Sequence, residues 1–205
     1  MLWQRGSRTM VRTIGSSGER TAEAIRAAGL RLIYAHGFEA MSLRQLAAEV
    51  GIQPGSLYNY FQNKQALLVE IVNNHMVQLI AGLEAALAGV GDPVARLKAF
   101  VSFHLLYHMS RKELVYIATS ELRSLEPDNR TAIVALRKTY ETIVIKILAD
   151  GAQIGAFKMN DPSVVAYGVI AMLTAVCEWY KPSGRLTPDE LVEIYLQQVL
   201  HGVCG

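Results

Sequence analysis

Small and polar side chains gather at positions 53–59, between two stretches with helical periodicity. Gln53 and Asn59 carry amide groups, which pair with the edges of bases and most readily with adenine. Gly55 and Ser56 are small enough for a helix to approach the floor of a major groove about 12 Å wide. Tyr58 carries a hydroxyl that can donate to a phosphate oxygen. These residue types at this spacing predict a recognition helix for double-stranded DNA.

Two short helices are predicted to position this polar segment. The first runs from Leu43 to Val50, because Ser42 is a good N-cap and Gln45, three residues later, completes a capping box. The second runs from Pro54 to Phe61 and begins with proline at the favoured first helical position. Gly51 lies between them and supplies a turn with positive φ. This is helix-turn-helix spacing, and the side chains able to share its small core are Leu46, Ala47, Val50, Ile52, Leu57 and Phe61.

Basic residues surround the predicted recognition helix. Arg44 lies in the first turn of the Leu43–Val50 helix and can reach the DNA backbone or a base. Lys64 begins the following helix, where its ammonium and the helix N-terminus together favour a phosphate. Residues 1–18 contain three arginines and are predicted to form a flexible arm that reaches a flanking groove. Residues 1–64 carry a net charge of +4 and the remainder carries −2, which favours a polyanion-binding N-terminal third.

Residues 21–68 resemble the N-terminal domain of the TetR family of bacterial transcriptional regulators, and the most specific match is LYNYFQNKQAL at 57–67. The resemblance implies an all-α homodimer, with a three-helix helix-turn-helix domain followed by a helical domain for ligand binding and dimerisation. The family usually has Ser or Thr as the cap at position 53. Because glutamine caps poorly, we expect Gln53 to face a base instead. The resemblance places at the DNA Ser42, Arg44, Pro54, Gly55, Ser56, Tyr58, Asn59, Tyr60 and Lys64.

The remaining chain has helical periodicity throughout and no pattern typical of strands. We therefore expect an all-α protein of 205 residues with three parts: the arm at 1–18, a DNA-binding domain at 19–78, and a ligand-binding and dimerisation domain at 79–205. A helix at 162–179 lacks charge from Pro162 to Cys177 and needs burial on more than one face. Packing of this helix and the last helix, at 187–201, against a two-fold mate predicts a homodimer.

The location of the protein is predicted from what the sequence lacks. The sixteen uncharged residues at 162–177 fall short of the roughly 20 that cross a bilayer, so we expect no membrane segment. The N-terminus has no continuous apolar segment of a secretory signal. The two cysteines have no disulfide or metal-ligand spacing, which is typical of a cytoplasmic protein.

The stretch EWYKPSGRLTPDE at 178–190 resembles a pattern in TetR-type regulators that respond to acyl-CoA thioesters, including repressors of fatty-acid degradation and of sterol-ring catabolism. The resemblance implies an acyl-CoA effector, and an aromatic or other hydrophobic small molecule is the alternative. A site of this kind combines apolar walls with a few polar anchors, and either arginine below could pair with a CoA phosphate. The candidate ligand residues are Phe103, Tyr107, Tyr116, Arg123, Arg137 and Tyr140.

Other functions are weaker interpretations of the sequence. His104 and His108 have the i, i+4 spacing of metal ligands, but no third ligand is evident, so no metal or cofactor is expected. A helical enzyme is the least favoured alternative, because no nucleophile elbow is present. A non-specific architectural DNA-binding protein would not need the long apolar helical body. The sequence thus predicts a repressor that a small molecule releases from a near-palindromic operator.

Overall fold

The computed structural model describes residues 14–204, and all of the regular structure in this range is helical. No strand occurs among these residues, which confirms the predicted all-α class. Two short segments, Pro54–Asn59 and Glu121–Ser124, are 3₁₀ helices. The α-helices of this part of the chain are α1 (Ile14–His36), α2 (Leu43–Val50), α3 (Lys64–Leu87), α4 (Pro93–Met109), α5 (Lys112–Ser120), α6 (Pro127–Gln153), α7 (Pro162–Thr174), α8 (Val176–Trp179) and α9 (Pro188–Cys204).

Local sequence signals determine the bounds of α2. The Ser42 hydroxyl accepts a hydrogen bond from the Gln45 backbone N–H at 3.2 Å, and the Ser42 N–H donates to Oε1 of Gln45 at 2.9 Å. This reciprocal pair is the predicted capping box. Gly51 ends the helix with φ 75°, a left-handed conformation that favours glycine. Both ends of α2 therefore agree with the prediction.

The predicted recognition helix is a 3₁₀ helix that ends at Asn59 instead of an α-helix that ends at Phe61. The Ser56 N–H donates to the Gln53 carbonyl and the Tyr60 N–H donates to the Leu57 carbonyl, each at 2.9 Å and each across three residues. Gly55 disfavours an α-helix, and a segment this short gains few of the bonds that an α-helix propagates. The prediction of its position is confirmed and that of its helix type is wrong.

The predicted arm at 1–18 is wrong for its last residues, because α1 begins at Ile14. Once the buried part of a helix is formed, each further residue adds a hydrogen bond at small cost, so a segment rich in Gly and Ser can extend it. Arg5, Arg8 and Arg12, which were expected to reach a flanking groove, lie outside the described residues.

Helix α3 crosses the predicted domain boundary at 78/79 and joins the two halves of the protein. The Asn63 side chain caps its start by accepting the Ala66 N–H at 2.8 Å. Helix α1 crosses it closely at Gly29, where a Cβ would stand 2.8 Å from Cδ2 of Leu67. The core of the helix-turn-helix continues through this crossing to Ile117 of α5. Helix α1 therefore packs directly on α5 of the C-terminal body.

Helices α4, α6, α7 and α9 surround the second core, which includes the fully buried Phe100, Val144 and Leu173. The helix predicted over 162–179 contains a break at Ala175, so that α8 is a separate turn. By length and composition, Lys64–Leu87 and Pro162–Trp179 could each cross a membrane, with 44% and 28% of the window buried inside the protein. The first is the central core helix. The second keeps much of its apolar surface outside the monomer.

Candidate nucleic-acid interface and ligand cavity

Residues 53–59, called here the recognition segment, present their polar groups to the outside. Leu57 is buried and holds the segment on the core, whereas Tyr58 is 61% exposed. The Gln53 side chain makes no capping hydrogen bond, as expected from its residue type, and it is exposed. The other exposed members are Pro54, Gly55 and Asn59, and Ser56 is half-buried. The segment therefore offers two amides and a phenol on a surface without bulky aliphatic groups.

The neighbouring predicted DNA contacts differ in how accessible they are. Arg44 is exposed on the first turn of α2. Ser42 is exposed as well, although its oxygen already accepts the capping hydrogen bond. Tyr60 is half-buried and packs against the core. Of the two predicted basic contacts, Arg44 is exposed and Lys64 is half-buried.

The structure gives Lys64 a different role from the predicted phosphate contact. Its ammonium donates to the carbonyl oxygens of Phe38, Glu39 and Met41 at 2.9, 3.2 and 3.3 Å. It also lies 4.3 Å from the centre of the Phe38 ring. Because an ammonium has three hydrogens, these carbonyls use its whole donor capacity. In this structure Lys64 therefore holds the loop between α1 and α2 against the start of α3, and its phosphate contact stays a prediction.

A hydrogen-bonded link joins this loop to the C-terminal body. The Phe38 N–H donates to Oε1 of Glu121 at 3.1 Å, and the Ser124 hydroxyl donates to Oε2 of the same carboxylate at 2.6 Å. Tyr34 of α1 also meets Tyr116 of α5 edge to face, with ring centres 5.3 Å apart. Both contacts connect the DNA-binding half to the stretch that follows α4.

A cavity of about 720 Å³ lies between α3, α4, α5, α6 and α7, and α1 reaches it through Tyr34. Three of the predicted ligand residues line it, namely Tyr116, Arg137 and Tyr140. Its apolar wall includes Met76, Leu79, Val115 and Ile170.

The other three predicted ligand residues do not line the cavity. Phe103 packs on α3, where its ring fills the space beside Gly82. Tyr107 donates to the His75 carbonyl at 3.5 Å and lies below the Arg111 guanidinium. Arg123 is exposed on the Glu121–Ser124 turn. The residue types of these three side chains suit a ligand site, but the position of each one in the fold keeps its side chain out of the cavity lining.

Three buried histidines line the cavity and were not predicted as ligand residues: His75, His104 and His108. The rings of His104 and His108 stack with centres 3.7 Å apart, which is the consequence of their i, i+4 spacing. Within the described residues, no group of three or more potential ligands could hold a metal ion. The spacing of His104 and His108 was the available signal, and it indicates a polar cavity wall.

The cavity histidines are neutral near pH 7. Burial, with a smaller contribution from the charge of His108, lowers the pKa of His75 to about 3. Burial also lowers the pKa of His108 to about 4 and that of His104 well below its usual value. The Tyr140 hydroxyl bonds Nδ1 of His104 at 2.8 Å, and burial raises the pKa of that phenol. The inner wall is therefore polar but uncharged.

Charges of both signs occur elsewhere along the cavity. Lys112 and Arg137 are the cations of its lining, and Glu141 and Glu178 are the acids. The Arg137 guanidinium donates to the Ala118 carbonyl, and burial lowers its pKa. One arginine and one lysine are thus available to meet an anionic group of a ligand.

Comparisons with known proteins agree with this architecture. Residues 90–203 match the family described as Tetracyclin repressor-like, C-terminal domain, and residues 25–71 match Bacterial regulatory proteins, tetR family. The HTH-type transcriptional repressor KstR2 of Rhodococcus jostii is 28% identical over 195 residues, which cover 94% of this chain and 95% of that protein.

Two solved structures show the same fold over nearly their whole length. A TetR-family regulatory protein from Rhodococcus RHA1 superimposes with a TM-score of 0.85 and 25% identity, covering 91% of this chain and 98% of the other. AibR, crystallised with isovaleryl coenzyme A and operator DNA, has a TM-score of 0.80 and 28% identity, with 87% and 97% coverage.

The matches and the helix-turn-helix define the class of the protein as a DNA-binding transcriptional regulator. The C-terminal family match spans more than half of the chain, and the chain belongs to the TetR family.

Proposed function

We propose that the protein is a homodimeric repressor whose recognition segments enter successive major grooves of a near-palindromic operator. In two-fold symmetric dimers of this type, the two recognition helices lie about 34–36 Å apart, which is one turn of DNA. The observation that carries the proposal is the recognition segment itself, which is anchored by Leu57 and exposes Gln53, Tyr58 and Asn59. In this arrangement Gln53 and Asn59 read bases, while Arg44 and Tyr58 contact phosphates. Because such an operator lies on the chromosome, we propose that the protein acts in the cytoplasm.

The dimer interface is proposed to include α7 and α9. Val164 and Tyr167 of α7 are 65% and 51% exposed in the monomer, and Ile194 of α9 is exposed too. The same face of α7 carries the exposed Gly168 and Ala171, which permit close approach of a second helix. An apolar surface of this kind is typical of an association site, and a closed two-fold dimer covers it on both subunits.

The effector is proposed to be an acyl-CoA thioester or a related hydrophobic molecule bound in the 720 Å³ cavity. Three observations support this choice: the apolar wall, the cations Lys112 and Arg137, and the similarity to AibR, whose structure contains isovaleryl coenzyme A. Because Tyr34 and Glu121 link the cavity region to the helix-turn-helix, a bound ligand can change the separation of the two recognition segments. A coupling of about 1–3 kcal/mol lowers operator affinity 5- to 150-fold.

A binding selection from random duplex DNA, followed by mobility shifts on the selected site, tests this function. Asn59→Ala should lose about 1–3 kcal/mol of discrimination against the wrong base. The matched control is Asn74→Ala, an exposed asparagine on α3. Recovery of no palindromic sequence, or equal behaviour of the two variants, would contradict the proposed role of the recognition segment.

A further inference from the structure

The inner part of the cavity is more polar than a hydrocarbon chain requires. His75, His104 and His108 are between 1% and 4% exposed, yet all three line the cavity beside apolar residues such as Met76 and Leu79. An unpaired polar atom is costly in such a place, because a ligand that displaces water must replace its hydrogen bonds. The hydrogen-bonding state of each imidazole therefore indicates what the ligand carries.

His104 is already satisfied by the protein. Its Nδ1 bonds the Tyr140 hydroxyl at 2.8 Å, and its Nε2 bonds the Thr174 hydroxyl at 3.1 Å. Both ring nitrogens have partners whichever tautomer is present. His104 thus forms part of the supporting wall and leaves recognition to its two neighbours.

His108 has a defined hydrogen-bond polarity. Its Nδ1 lies 2.8 Å from the backbone carbonyl of His104, and a carbonyl only accepts, so Nδ1 carries the proton. In the neutral ring, Nε2 is then an acceptor. Among the described residues, the His108 ring makes its hydrogen bond through Nδ1, and Nε2 is not one of the sealed, unpaired atoms. This atom is satisfied only if another molecule donates a hydrogen bond to it.

His75 completes the pair from α3. Its ring centre lies 6.4 Å from that of His108, nearly edge-on, and its Nδ1 is buried with no hydrogen-bond partner among the described residues. A neutral imidazole carries one N–H and one lone pair. Because that Nδ1 is sealed off, only Nε2 of His75 can meet a ligand, and the tautomer with its proton on Nε2 avoids burying an unbonded N–H. In that tautomer His75 offers a donor to the cavity that His108 lines with its acceptor.

We propose that the effector carries an alcohol hydroxyl at its buried end, which donates to Nε2 of His108 and accepts from the N–H of His75. A ketone at the same position can only accept, so it leaves His108 unpaired, and a hydrocarbon leaves both rings unpaired. The assignment rests on the proposed function to the extent that it takes this cavity as the effector site.

Two CoA-free probes with the same ring skeleton test the assignment on the full-length protein: trans-decalin-2-ol and 2-decalone. Their affinities are measured by titration of protein labelled with ¹⁵N-histidine. We expect the alcohol to bind about tenfold more tightly, because the ketone leaves one buried acceptor unsatisfied. The alcohol should also shift the Nε2 resonance of His108 in the direction of a hydrogen-bonded acceptor. The ketone should leave that resonance unchanged.

His108→Phe keeps an aromatic ring against His104 and removes the acceptor, so it should abolish the preference for the alcohol. His36→Phe makes the same substitution at an exposed position and should retain the preference. If His108→Phe does not fold, His108→Leu removes the acceptor as well, and the wild-type ¹⁵N spectra still report on Nε2 of His108.

Equal affinities for the two probes, tighter binding of the ketone, or binding of neither probe would overturn the assignment. Persistence of the preference in His108→Phe would also overturn it. Failure of acyl-CoA thioesters to release DNA is a separate outcome, which contradicts only the proposed effector class.

Discussion

Replacing Lys64 by methionine should destabilise the fold and leave the number of phosphate contacts unchanged. The ammonium makes three hydrogen bonds of 2.9–3.3 Å to backbone carbonyls of the loop between α1 and α2. Hydrogen bonds to a charged group contribute about 1.5–3 kcal/mol each. The side chain is only half-buried, so solvent screening reduces that sum. We expect a loss of about 2–4 kcal/mol in the free energy of unfolding.

Urea denaturation of the full-length protein measures this loss, and Lys98→Met, on the exposed side of α4, is the matched control. The salt dependence of operator binding separates stability from DNA contact, because each lost phosphate contact lowers the slope of log K against log salt concentration by about 0.9. Below its melting temperature, Lys64→Met should keep the wild-type slope, whereas Arg44→Ala should lower it. If Lys64→Met is as stable as the wild type and has a reduced salt slope, Lys64 contacts a phosphate and does not brace the loop.

Three further predictions concern the cavity, the interdomain link and the dimer. The pKa values of His75 and His108, about 3 and about 4 in the folded protein, lie below the value of 6.5 for a free imidazole. As the pH falls below that value, the unfolded chain therefore binds protons that the native state does not bind. Neutral burial of these two rings should cost about 4 kcal/mol of stability between about pH 7 and pH 5 in urea melts, and the buried His104 adds to that fall. His108→Phe should show a smaller fall, and a flat profile would contradict neutral burial. Glu121→Ala removes the acceptor of the Phe38 N–H. The ligand should then weaken operator binding several-fold less in mobility shifts, while the affinity for the ligand changes little. If the ligand still releases the DNA as it does from the wild type, the Phe38–Glu121 hydrogen bond does not carry the coupling. Tyr167→Glu places a charge on the exposed face of α7 and should yield monomers in analytical ultracentrifugation. The control Lys138→Glu, at an exposed position of α6, should remain dimeric. A dimeric Tyr167→Glu protein would show that the interface lies elsewhere.

Short-range signals made the helix-turn-helix predictable from sequence. The Ser42–Gln45 capping box, Gly51 and the Asn63 cap each act within a few residues, and each occurs as expected. The helix type of the recognition segment was harder to predict from the sequence. An α-helix and a 3₁₀ helix differ there by a few hydrogen bonds, so their stabilities are close.

Long-range packing decided what the sequence did not reveal. Lys64 meets carbonyls 23 to 26 residues earlier in the chain, and no local pattern indicates that the loop folds back to it. His75 and His108 come from different helices and meet only because α3 and α4 pack with those faces together. Tyr107 and Phe103 have suitable chemistry for a ligand, but their positions on α4 direct them elsewhere. Residue type suggested the kind of cavity, and helix packing selected its lining.

We propose that one molecule combines an operator-reading segment with a cavity whose ligand releases the DNA. Fluorescence anisotropy of the selected operator duplex, titrated with the full-length dimer in the presence of acyl-CoA thioesters of increasing chain length, measures both properties together. We expect specific binding that at least one thioester weakens 5- to 150-fold. Asn59→Ala should lose the specificity, and Asn74→Ala should keep it. Specific binding that remains unchanged while a thioester occupies the cavity would contradict ligand-controlled repression.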